Sequence, residues 1–236
     1  MQWTDESIAF LRDAAAINRY YETIAERIAP QLQENAHVCD AGCGIGELSL
    51  ALKPYCHHVT AVDADALAIK TLKAHLIEGV TARCDDMETL APEKPYDAMV
   101  FCLFGRTEDT LRIARKQCRG RIFLVKSDYS HHRFSAGKVS LGEYTAGSTE
   151  AVLHEKGIPY TVERFTAEFG QPFRSLEAAE RFFALYNRSR SGTLSKDEIK
   201  ARLTEGPSEE FPYYLPHKKA LCLFTVETAD IPEKAI

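Results

Sequence analysis

Between residues 37 and 126, short apolar runs alternate with amphipathic runs, and this alternation restricts the fold more than any other feature. The apolar runs have the length and composition of buried strands. The segments between them carry apolar residues at helical spacing. Strands alternating with helices predict a parallel sheet covered by helices on both faces and joined by right-handed crossovers. We therefore expect an α/β fold with a doubly wound, mostly parallel sheet.

The same patterns give bounds for each predicted element. The predicted strands are 37–41, 58–62, 80–84, 96–104, 121–126, 160–169 and 219–226. The predicted helices are 46–52, 64–76, 108–118, 148–156, 176–186 and 197–203, and a further helical run covers 5–29 and ends before Pro30. Asp13 is a candidate break in that run, and Ser148 or Thr149 is the expected N-cap of helix 148–156.

The chain is expected to form a single domain, 1–236, with three parts. Residues 1–35 form an N-terminal helical cap, and 36–127 form the regular half of the sheet. Residues 128–236 form the less regular half, which begins with a polar, glycine-rich loop at 128–147. Within it, about 170–216 reads as a helical lid inserted before the last strand.

Charge and cysteine content narrow the class of protein. A net charge of -5 and a pI near 5.9 argue against non-specific binding to nucleic-acid phosphates. No apolar run reaches membrane-spanning length, and the first residues lack the basic-then-apolar pattern of a signal peptide. The seven cysteines are scattered and form no C-x-x-C. We expect reduced thiols in a cytoplasmic protein, without disulfides or zinc.

The first predicted strand runs directly into a glycine-rich turn, GCGIG, with glycines at 42, 44 and 46. A phosphate-binding P-loop needs Gly-Lys-Ser/Thr next, but Glu47 and Leu48 follow, and a carboxylate would repel phosphate. A dinucleotide fingerprint, G-x-G-x-x-G, needs a third glycine at 47. That alternative stays open because Asp63, at the end of the next strand, is placed to accept ribose hydroxyls.

The longer segment VCDAGCGIGELSLAL closely resembles the first motif of class I S-adenosylmethionine-dependent methyltransferases, an acidic residue followed by G-x-G-x-G and a helix. Asp40 supplies the acid. S-adenosylmethionine carries a sulfonium and an ammonium but no pyrophosphate, so a carboxylate at the strand end suits its cationic part. The resemblance implies a seven-stranded sheet whose last strand is antiparallel, and a methyl-transfer activity.

Three further segments resemble the same family in the right order, so that the match covers residues 36–127. VTAVDAD resembles its second strand with the ribose-binding acid, CDDMETL its adenine-binding segment, and YDAMVFCLF its fourth strand. The resemblance implies S-adenosylmethionine as cofactor. The implied cofactor-binding residues are Asp40, Gly42, Cys43, Gly44, Gly46, Asp63, Ala64, Asp85, Asp86, Met87 and Phe101. Tyr20 and Tyr21 on the N-terminal helix are candidates to close over the cofactor, with simple packing as the equal alternative. Asp86 fits the adenine position better than Asp85.

The methyl acceptor is less defined by sequence. After the fourth strand the chain reads FCLFGR, without the Asn/Asp-Pro-Pro-Tyr/Phe of amino-methylating nucleic-acid enzymes or the Pro-Cys of cytosine-C5 enzymes. Elimination favours an O, N or S atom of a small molecule. An RNA or protein methyltransferase, a non-catalytic cofactor-binding module and an NAD-dependent oxidoreductase remain alternatives. Whether the chain forms a homodimer is left open.

Candidate acceptor-side residues come from the segments expected at the carboxyl edge of the sheet. His131 and His132 are candidate general bases near neutral pH, with a solvated loop as the equal alternative. Candidate substrate contacts are Phe104, Tyr129, Gln171, Phe173, Arg174, Tyr213 and Tyr214. The aromatic stripe of Phe182, Phe183 and Tyr186 is more typical of a core than of a substrate site.

One segment of the lid, NRSRSGTLSKDE, resembles an EF-hand loop. Gly192, Leu194 and Glu198 match its glycine, apolar and final acidic positions. Asn187, Ser189 and Ser191 stand where calcium sites carry most of their carboxylates, and two arginines add positive charge. We therefore predict a capped helix–turn–helix here and no metal site.

Overall fold

The computed structural model describes residues 3–75, 77–190 and 192–233, so Leu76 and Ser191, the end of a predicted helix and one EF-hand position, lie outside the described residues. The helices are α1 (Asp5–Ile17), α2 (Tyr20–Ile28), α3 (Glu47–Leu52), α4 (Ala66–Lys73), α5 (Thr107–Gln117), α6 (Ala146–Glu155), α7 (Leu176–Tyr186) and α8 (Lys196–Lys200). The strands are β1 (His37–Ala41), β2 (His58–Asp63), β3 (Val80–Cys84), β4 (Tyr96–Cys102), β5 (Cys118–Ser127), β6 (Thr161–Glu168), β7 (Gln171–Phe173), β8 (Thr204–Glu205), β9 (Tyr213–Leu215) and β10 (Lys218–Glu227).

The main sheet has seven strands in the order β3-β2-β1-β4-β5-β10-β6. Strands β1 to β5 pair in parallel, and β10 pairs antiparallel with both β5 and β6. The predicted doubly wound, mostly parallel sheet with an antiparallel last strand is confirmed. Its strand order reverses between β1 and β4, and in open α/β sheets that switch point is where ligands bind.

Both faces of the sheet are buried, which is why its strands are apolar nearly throughout. Successive residues of β1 point to opposite faces, so that Val38 packs with α2 and α3 while Cys39 belongs to the cluster that includes α5 and α6. The first face is closed by Ile24 and Leu52, and the second by Leu111 and Leu153, each at most 1% exposed. The sheet is therefore a rigid platform for the loops at its carboxyl edge.

The N-terminal helical run breaks at Asn18 and Arg19, not at the predicted Asp13. Asn18 is buried, and its side-chain amide donates to Ala14 O at 2.7 Å and to Gly170 O at 2.8 Å. These bonds hold Asn18 in an extended conformation and stop α1, whereas Asp13 forms an ion pair with Arg174. The break lets α2 turn onto the sheet while α1 packs on the lid.

Helix α6 also starts earlier than predicted. Thr145 is its N-cap, and the side chain of Ser148 completes a capping box with it. Ser148 therefore supports the cap from inside the helix, and the expectation that Ser148 or Thr149 is itself the cap is wrong.

The lid at 170–216 contains α7, α8 and a small sheet of order β7-β9-β8 that sequence patterns did not predict. Its core joins Phe173, Phe182 and Phe183 to Phe10 of α1. In the EF-hand-like segment, Glu198 accepts hydrogen bonds from Ser195 in a capping box, and Asn187 donates to Gly192 O. No group of three or more His, Cys, Asp or Glu that could hold a metal ion occurs among the described residues.

All seven cysteines are free thiols, including Cys84, which is exposed at the end of β3 rather than buried. None of the helices described is both long enough and apolar enough to cross a membrane.

Candidate functional site

The glycine turn follows β1 at the switch point of the sheet. Gly42, Gly44 and Gly46 have φ of 72°, 54° and 88°, a left-handed conformation that side chains disfavour. The N–H groups of Gly42 and Cys43 donate to Val62 O at 2.8 and 3.0 Å, which ties the turn to the end of β2. Gly46 then caps α3, so three left-handed glycines at alternate positions bring the chain from strand to helix.

Side chains of the protein itself come close to these glycines. A Cβ at Gly42 would lie 2.1 Å from the ring of Phe104, and one at Gly44 would lie 2.6 Å from the ring of Trp3. A Cβ at Gly46 would lie 2.4 Å from Leu72 of α4. Two of the glycines thus make room for aromatic rings at the surface of the turn, and the third makes room for helix packing.

Asp63 ends β2 beside the turn and is held from two sides. Its Oδ2 accepts the N–H of Gly44 at 2.8 Å, and its Oδ1 accepts the N–H of Asp65 at 2.9 Å. Asp65 in turn caps α4 and accepts the backbone N–H of Trp3 at 3.0 Å. These bonds fix the orientation of the Asp63 carboxylate, and each oxygen keeps further acceptor capacity.

Asp40 lies at the other side of the turn and is 1% exposed. Its Oδ2 accepts the hydroxyl of Ser49 at 2.6 Å. Burial raises the pKa of the Asp40 carboxyl to about 6. Glu47, the next carboxyl at this turn, is half-buried, and burial raises its pKa as well.

Two clefts open beside the turn. The first, of about 640 Å³, is lined by Trp3, Gly42, Gly44, Val62, Asp63, Ala64, Asp65, Asp85, Asp86, Met87, Cys102, Leu103 and Phe104. Among these residues are four aspartates and no lysine or arginine. Asp85 is partly engaged by an ion pair with Arg83, while the carboxylate of Asp86 accepts the N–H of Glu88 in a tight turn.

The second cleft, of about 380 Å³, is more apolar. It is lined by Trp3, Leu11, Tyr20, Tyr21, Asp40, Gly42, Cys43, Gly44, Glu47, Leu48, Cys102, Leu103, Phe134, Phe169, Gln171, Phe182, Tyr186, Arg188 and Lys219. Both clefts share Trp3, Gly42, Gly44, Cys102 and Leu103. They therefore adjoin across the glycine turn and the end of β4.

The segment after β4 contributes Leu103 to both clefts and has a strained backbone. Leu103 has φ of 53°, the one left-handed non-glycine among the described residues, and is 42% exposed. Its N–H donates to Val125 O at 2.9 Å. The buried Lys126 donates to Phe104 O at 3.2 Å and to Gly105 O at 2.8 Å. Strained backbone persists where its surroundings over-determine it, often at functional sites.

Residues 38–120, from β1 to the start of β5, match the family model of a methyltransferase domain. They contain the glycine turn, Asp63 and the whole set of aspartates in the first cleft. The chain thus contains a segment that matches a methyltransferase domain, within a sheet whose strand order is that of the class I methyltransferase fold.

Solved structures agree with this assignment at the level of the fold. The YcgJ protein of Bacillus subtilis has a TM-score of 0.55 at 15% identity over 87% of this chain and 97% of that one. A candidate methyltransferase of Bacillus halodurans has a TM-score of 0.54 at 14% identity over 88% and 98%. The N-methyltransferase NodS of Bradyrhizobium japonicum, solved with S-adenosyl-L-homocysteine, has a TM-score of 0.50 at 14% identity over 87% and 85%. No curated protein matches the sequence.

Most of the residues that sequence analysis assigned to the cofactor line one of the two clefts. Asp63, Ala64, Asp85, Asp86 and Met87 line the first. Tyr20, Tyr21, Asp40 and Cys43 line the second. Phe101 lines neither, because it is fully buried and stacks 6.4 Å from Phe104 inside the core. Gly46 faces Leu72 rather than a cleft.

The predicted acceptor residues are mostly elsewhere. Phe104 and Gln171 line the first and the second cleft respectively. His131 is exposed and hydrogen-bonds Ser130, His132 hydrogen-bonds Ser135, and neither lines either cleft. Five residues lie outside both clefts: Tyr129, which contacts His217; Phe173, in the lid core; Arg174, paired with Asp13; and Tyr213 and Tyr214, in β9.

Sequence analysis missed several residues that line the clefts. Lys219 projects from β10 with its Nζ 4.4 Å from the ring centroid of Phe169 and 4.8 Å from that of Tyr20. Burial lowers the pKa of Lys219 to about 8. Trp3 and Phe134 come from segments that carry no motif. The one available signal was a lysine pair, Lys218 and Lys219, at the start of an otherwise apolar strand.

Proposed function

We propose that the chain is an S-adenosylmethionine-dependent methyltransferase acting on an O, N or S atom of a small molecule. The observation that supports a small acceptor most directly is the second cleft. It adjoins the glycine turn, holds about 380 Å³, and is covered by α1, α2 and α7. A chamber of this size, with mostly apolar walls and a few polar groups, is typical of small-molecule sites.

The residues present fit S-adenosylmethionine. The first cleft would hold the adenosine, with Asp63 accepting from ribose hydroxyls and with Asp86 and Met87 beside the adenine. Its four aspartates and lack of basic residues suit a ligand without phosphates and disfavour the pyrophosphate of a dinucleotide. Asp40 and Glu47, at the turn, would face the cationic methionine end.

When bound, S-adenosylmethionine supplies an electrophilic methyl group whose bond to sulfur breaks as an acceptor lone pair attacks in line, with the bonding electrons staying on sulfur. The protein's task is to position the acceptor and to exclude water. The aromatic wall of Tyr21, Phe134 and Phe182 does both. An acceptor that loses a proton would deliver it to a titratable group of the second cleft, where Asp40 and Glu47 are the candidates.

Two further features support this proposal. The seven free thiols favour a reducing, cytoplasmic compartment. The turn, and Asp63 above all, is fixed by backbone hydrogen bonds before any ligand arrives, which reduces the ordering cost of binding.

The experiment separates acceptor classes by size. The protein is incubated with S-adenosylmethionine and either ultrafiltered metabolites, total RNA or total protein, and S-adenosylhomocysteine formation is measured. The proposal predicts turnover with the metabolite fraction and a large loss of it in Asp63→Ala. Turnover confined to RNA or protein would overturn the small-molecule assignment. Cofactor binding without turnover on any fraction would indicate a non-catalytic module.

A further inference from the structure

Lys219 carries a charge that no described carboxylate neutralises. Its Nζ lies 4.8 Å from the ring centroid of Tyr20 and 4.4 Å from that of Phe169. Burial lowers the pKa of Lys219, and Cys102 acts in the opposite direction. Buried cations normally have a carboxylate or phosphate partner. The cation–π contacts stabilise the ammonium only in part. The second cleft therefore contains an ammonium that lacks an anion.

The cleft is lined by charges of both signs. Asp40 and Glu47 lie at the glycine turn, while Arg188 belongs to the lid and Lys219 to β10, and the Arg188 guanidinium forms no ion pair among the described residues. Cys102 lines the same cleft, and both Asp40 and Lys219 act on its thiol. The carboxylates at the turn would face the proposed methionine end, which leaves the two cations to the acceptor.

His132 and His217 lie near Lys219 and do not balance its charge. Burial, followed by the nearby cations, lowers the pKa of His132 to about 4 and that of His217 to about 3, so both rings are neutral at neutral pH. Tyr20 adds a donor: its residue is 1% exposed, it lines the cleft, and its hydroxyl has no hydrogen-bond partner among the described residues. An unpaired buried hydroxyl costs free energy that a ligand acceptor atom would recover.

Aromatic side chains form the remainder of the chamber. Tyr21, Phe134, Phe182 and Tyr186 line it together with Tyr20 and Phe169. A cage of aromatic rings usually binds a cationic ligand. Here the protein's own Lys219 occupies the cation position, so an amine or ammonium acceptor would meet like charge. Flat rings packed around a partly buried cation suit a planar, apolar ligand with an anionic substituent.

We propose that the methyl acceptor is a small aromatic carboxylate whose anionic group is bound by Lys219, with the Tyr20 hydroxyl as a second donor and Arg188 at the opening of the cleft. This inference rests on the proposed function, because it names the substrate class of the same site. Lys219 is a specificity-determining residue in this account.

The test uses matched probes on the intact protein saturated with S-adenosylhomocysteine. Benzoate, benzamide and benzylamine form one set, and indole-3-acetate and indole-3-acetamide form a second, larger pair. Dissociation constants are measured by calorimetry for wild type, Lys219→Met, Lys219→Arg and Lys218→Met. Lys218 is the matched control, because it neighbours Lys219 on β10, is exposed, and pairs across the sheet with Glu168.

We expect at least one carboxylate to bind about tenfold or more tightly than its amide, and benzylamine to bind least. Lys219→Met abolishes that preference, while Lys219→Arg and Lys218→Met keep it. Equal binding of acid and amide in wild type, an unchanged preference in Lys219→Met, or no carboxylate binding at millimolar concentration overturns the proposal. Thermal unfolding of both Lys219 variants shows that they fold.

Two titrations distinguish failure of the aromatic-carboxylate inference from failure of the proposed function. S-adenosylhomocysteine binding is measured first in wild type and in Lys219→Met, and its absence in wild type counts against the cofactor assignment. The probe series is then repeated without S-adenosylhomocysteine, so that the carboxylate preference of Lys219 is tested on its own.

Discussion

The backbone N–H of Gly44 donates a hydrogen bond of 2.8 Å to Oδ2 of Asp63. This bond joins the glycine turn after β1 to the end of β2 and fixes the carboxylate at the rim of the first cleft. Asp65 N–H holds the other oxygen at 2.9 Å. Asp63 thus shapes the turn and, in the proposed complex, accepts from the ribose.

Asp63→Ala is expected to weaken S-adenosylhomocysteine binding by tenfold or more, roughly the loss of one or two hydrogen bonds to a charged group. Asp63→Asn retains one acceptor oxygen, so its affinity for S-adenosylhomocysteine should fall between those of wild type and Asp63→Ala. Glu93→Ala, at an exposed carboxylate outside both clefts, is the control and should bind as wild type does. Calorimetry gives the dissociation constants, and an unchanged value for Asp63→Ala would reject the ribose role.

Trp3 is the single tryptophan of the chain and lines both clefts, with its ring lying across Gly44. Intrinsic tryptophan emission therefore reports on this one position. We expect S-adenosylhomocysteine to change its intensity or wavelength in a saturable way, with the midpoint that calorimetry gives. Trp3→Phe should bind but show no such signal. Emission that stays constant through calorimetric saturation would place the ligand away from Trp3.

Gly46 and Gly147 form a matched pair for backbone effects on stability. Gly46 has φ of 88°, and a Cβ there would lie 2.4 Å from Leu72, so Gly46→Ala should lower the free energy of unfolding by about 2 kcal/mol or more. Gly147 lies in α6 with nothing within 4 Å of a Cβ. Gly147→Ala should raise it by up to about 1 kcal/mol. Urea unfolding measures the free energy of unfolding of both variants, and equal values for Gly46→Ala and Gly147→Ala would contradict the geometry.

His217 gives the protein an acid-sensitive stability. It is 3% exposed with no partner on either ring nitrogen among the described residues, and burial, then Lys219, Arg133 and His132, lowers its pKa to about 3. Between that value and the ordinary 6.5, the unfolded chain binds a proton that the folded chain does not. The contribution of neutral His217 to the free energy of unfolding is therefore fully present above pH 6.5. It falls as the pH drops, by up to about 1.4 kcal/mol per pH unit.

The variant His217→Phe isolates this effect. His132, whose pKa burial lowers to about 4, acts in the same direction, while Asp40, whose pKa is raised from 3.8 to about 6, acts in the opposite one. Both remain in the variant, so the comparison removes them. Wild type should lose more unfolding free energy between pH 7 and pH 5 than His217→Phe does. Equal losses would show that His217 titrates normally.

The strands of the regular half were predicted to within a few residues because burial on both faces makes them continuous apolar runs. The predicted strand 121–126 is the exception, since β5 begins at Cys118, where a register shift against β4 and the polar residues Arg119 and Arg121 interrupt the pattern. Strands β7, β8 and β9 have two or three residues each, too few to show any periodicity. Their pairing depends on contacts within the lid.

The residues of the site also divide into those that the strand pattern predicts and those that it does not. Asp40 and Asp63 lie at the ends of β1 and β2, and Asp86 follows β3, so the strand pattern alone places all three at one edge of a parallel sheet. Lys219 and Trp3 come from opposite ends of the chain and meet the clefts only through tertiary packing, so no local pattern marks them. His131 and His132 are the opposite case, because the sequence suggested them for their reactive side chains. They lie in a loop, and the sequence does not encode where a loop side chain points.

The most direct test of the account is calorimetry of the wild-type protein with S-adenosylmethionine, S-adenosylhomocysteine and NAD. The four aspartates of the first cleft and the carboxylates at the turn predict that the first two bind and that NAD does not. Binding of NAD in the absence of binding by either sulfur compound would contradict the central claim.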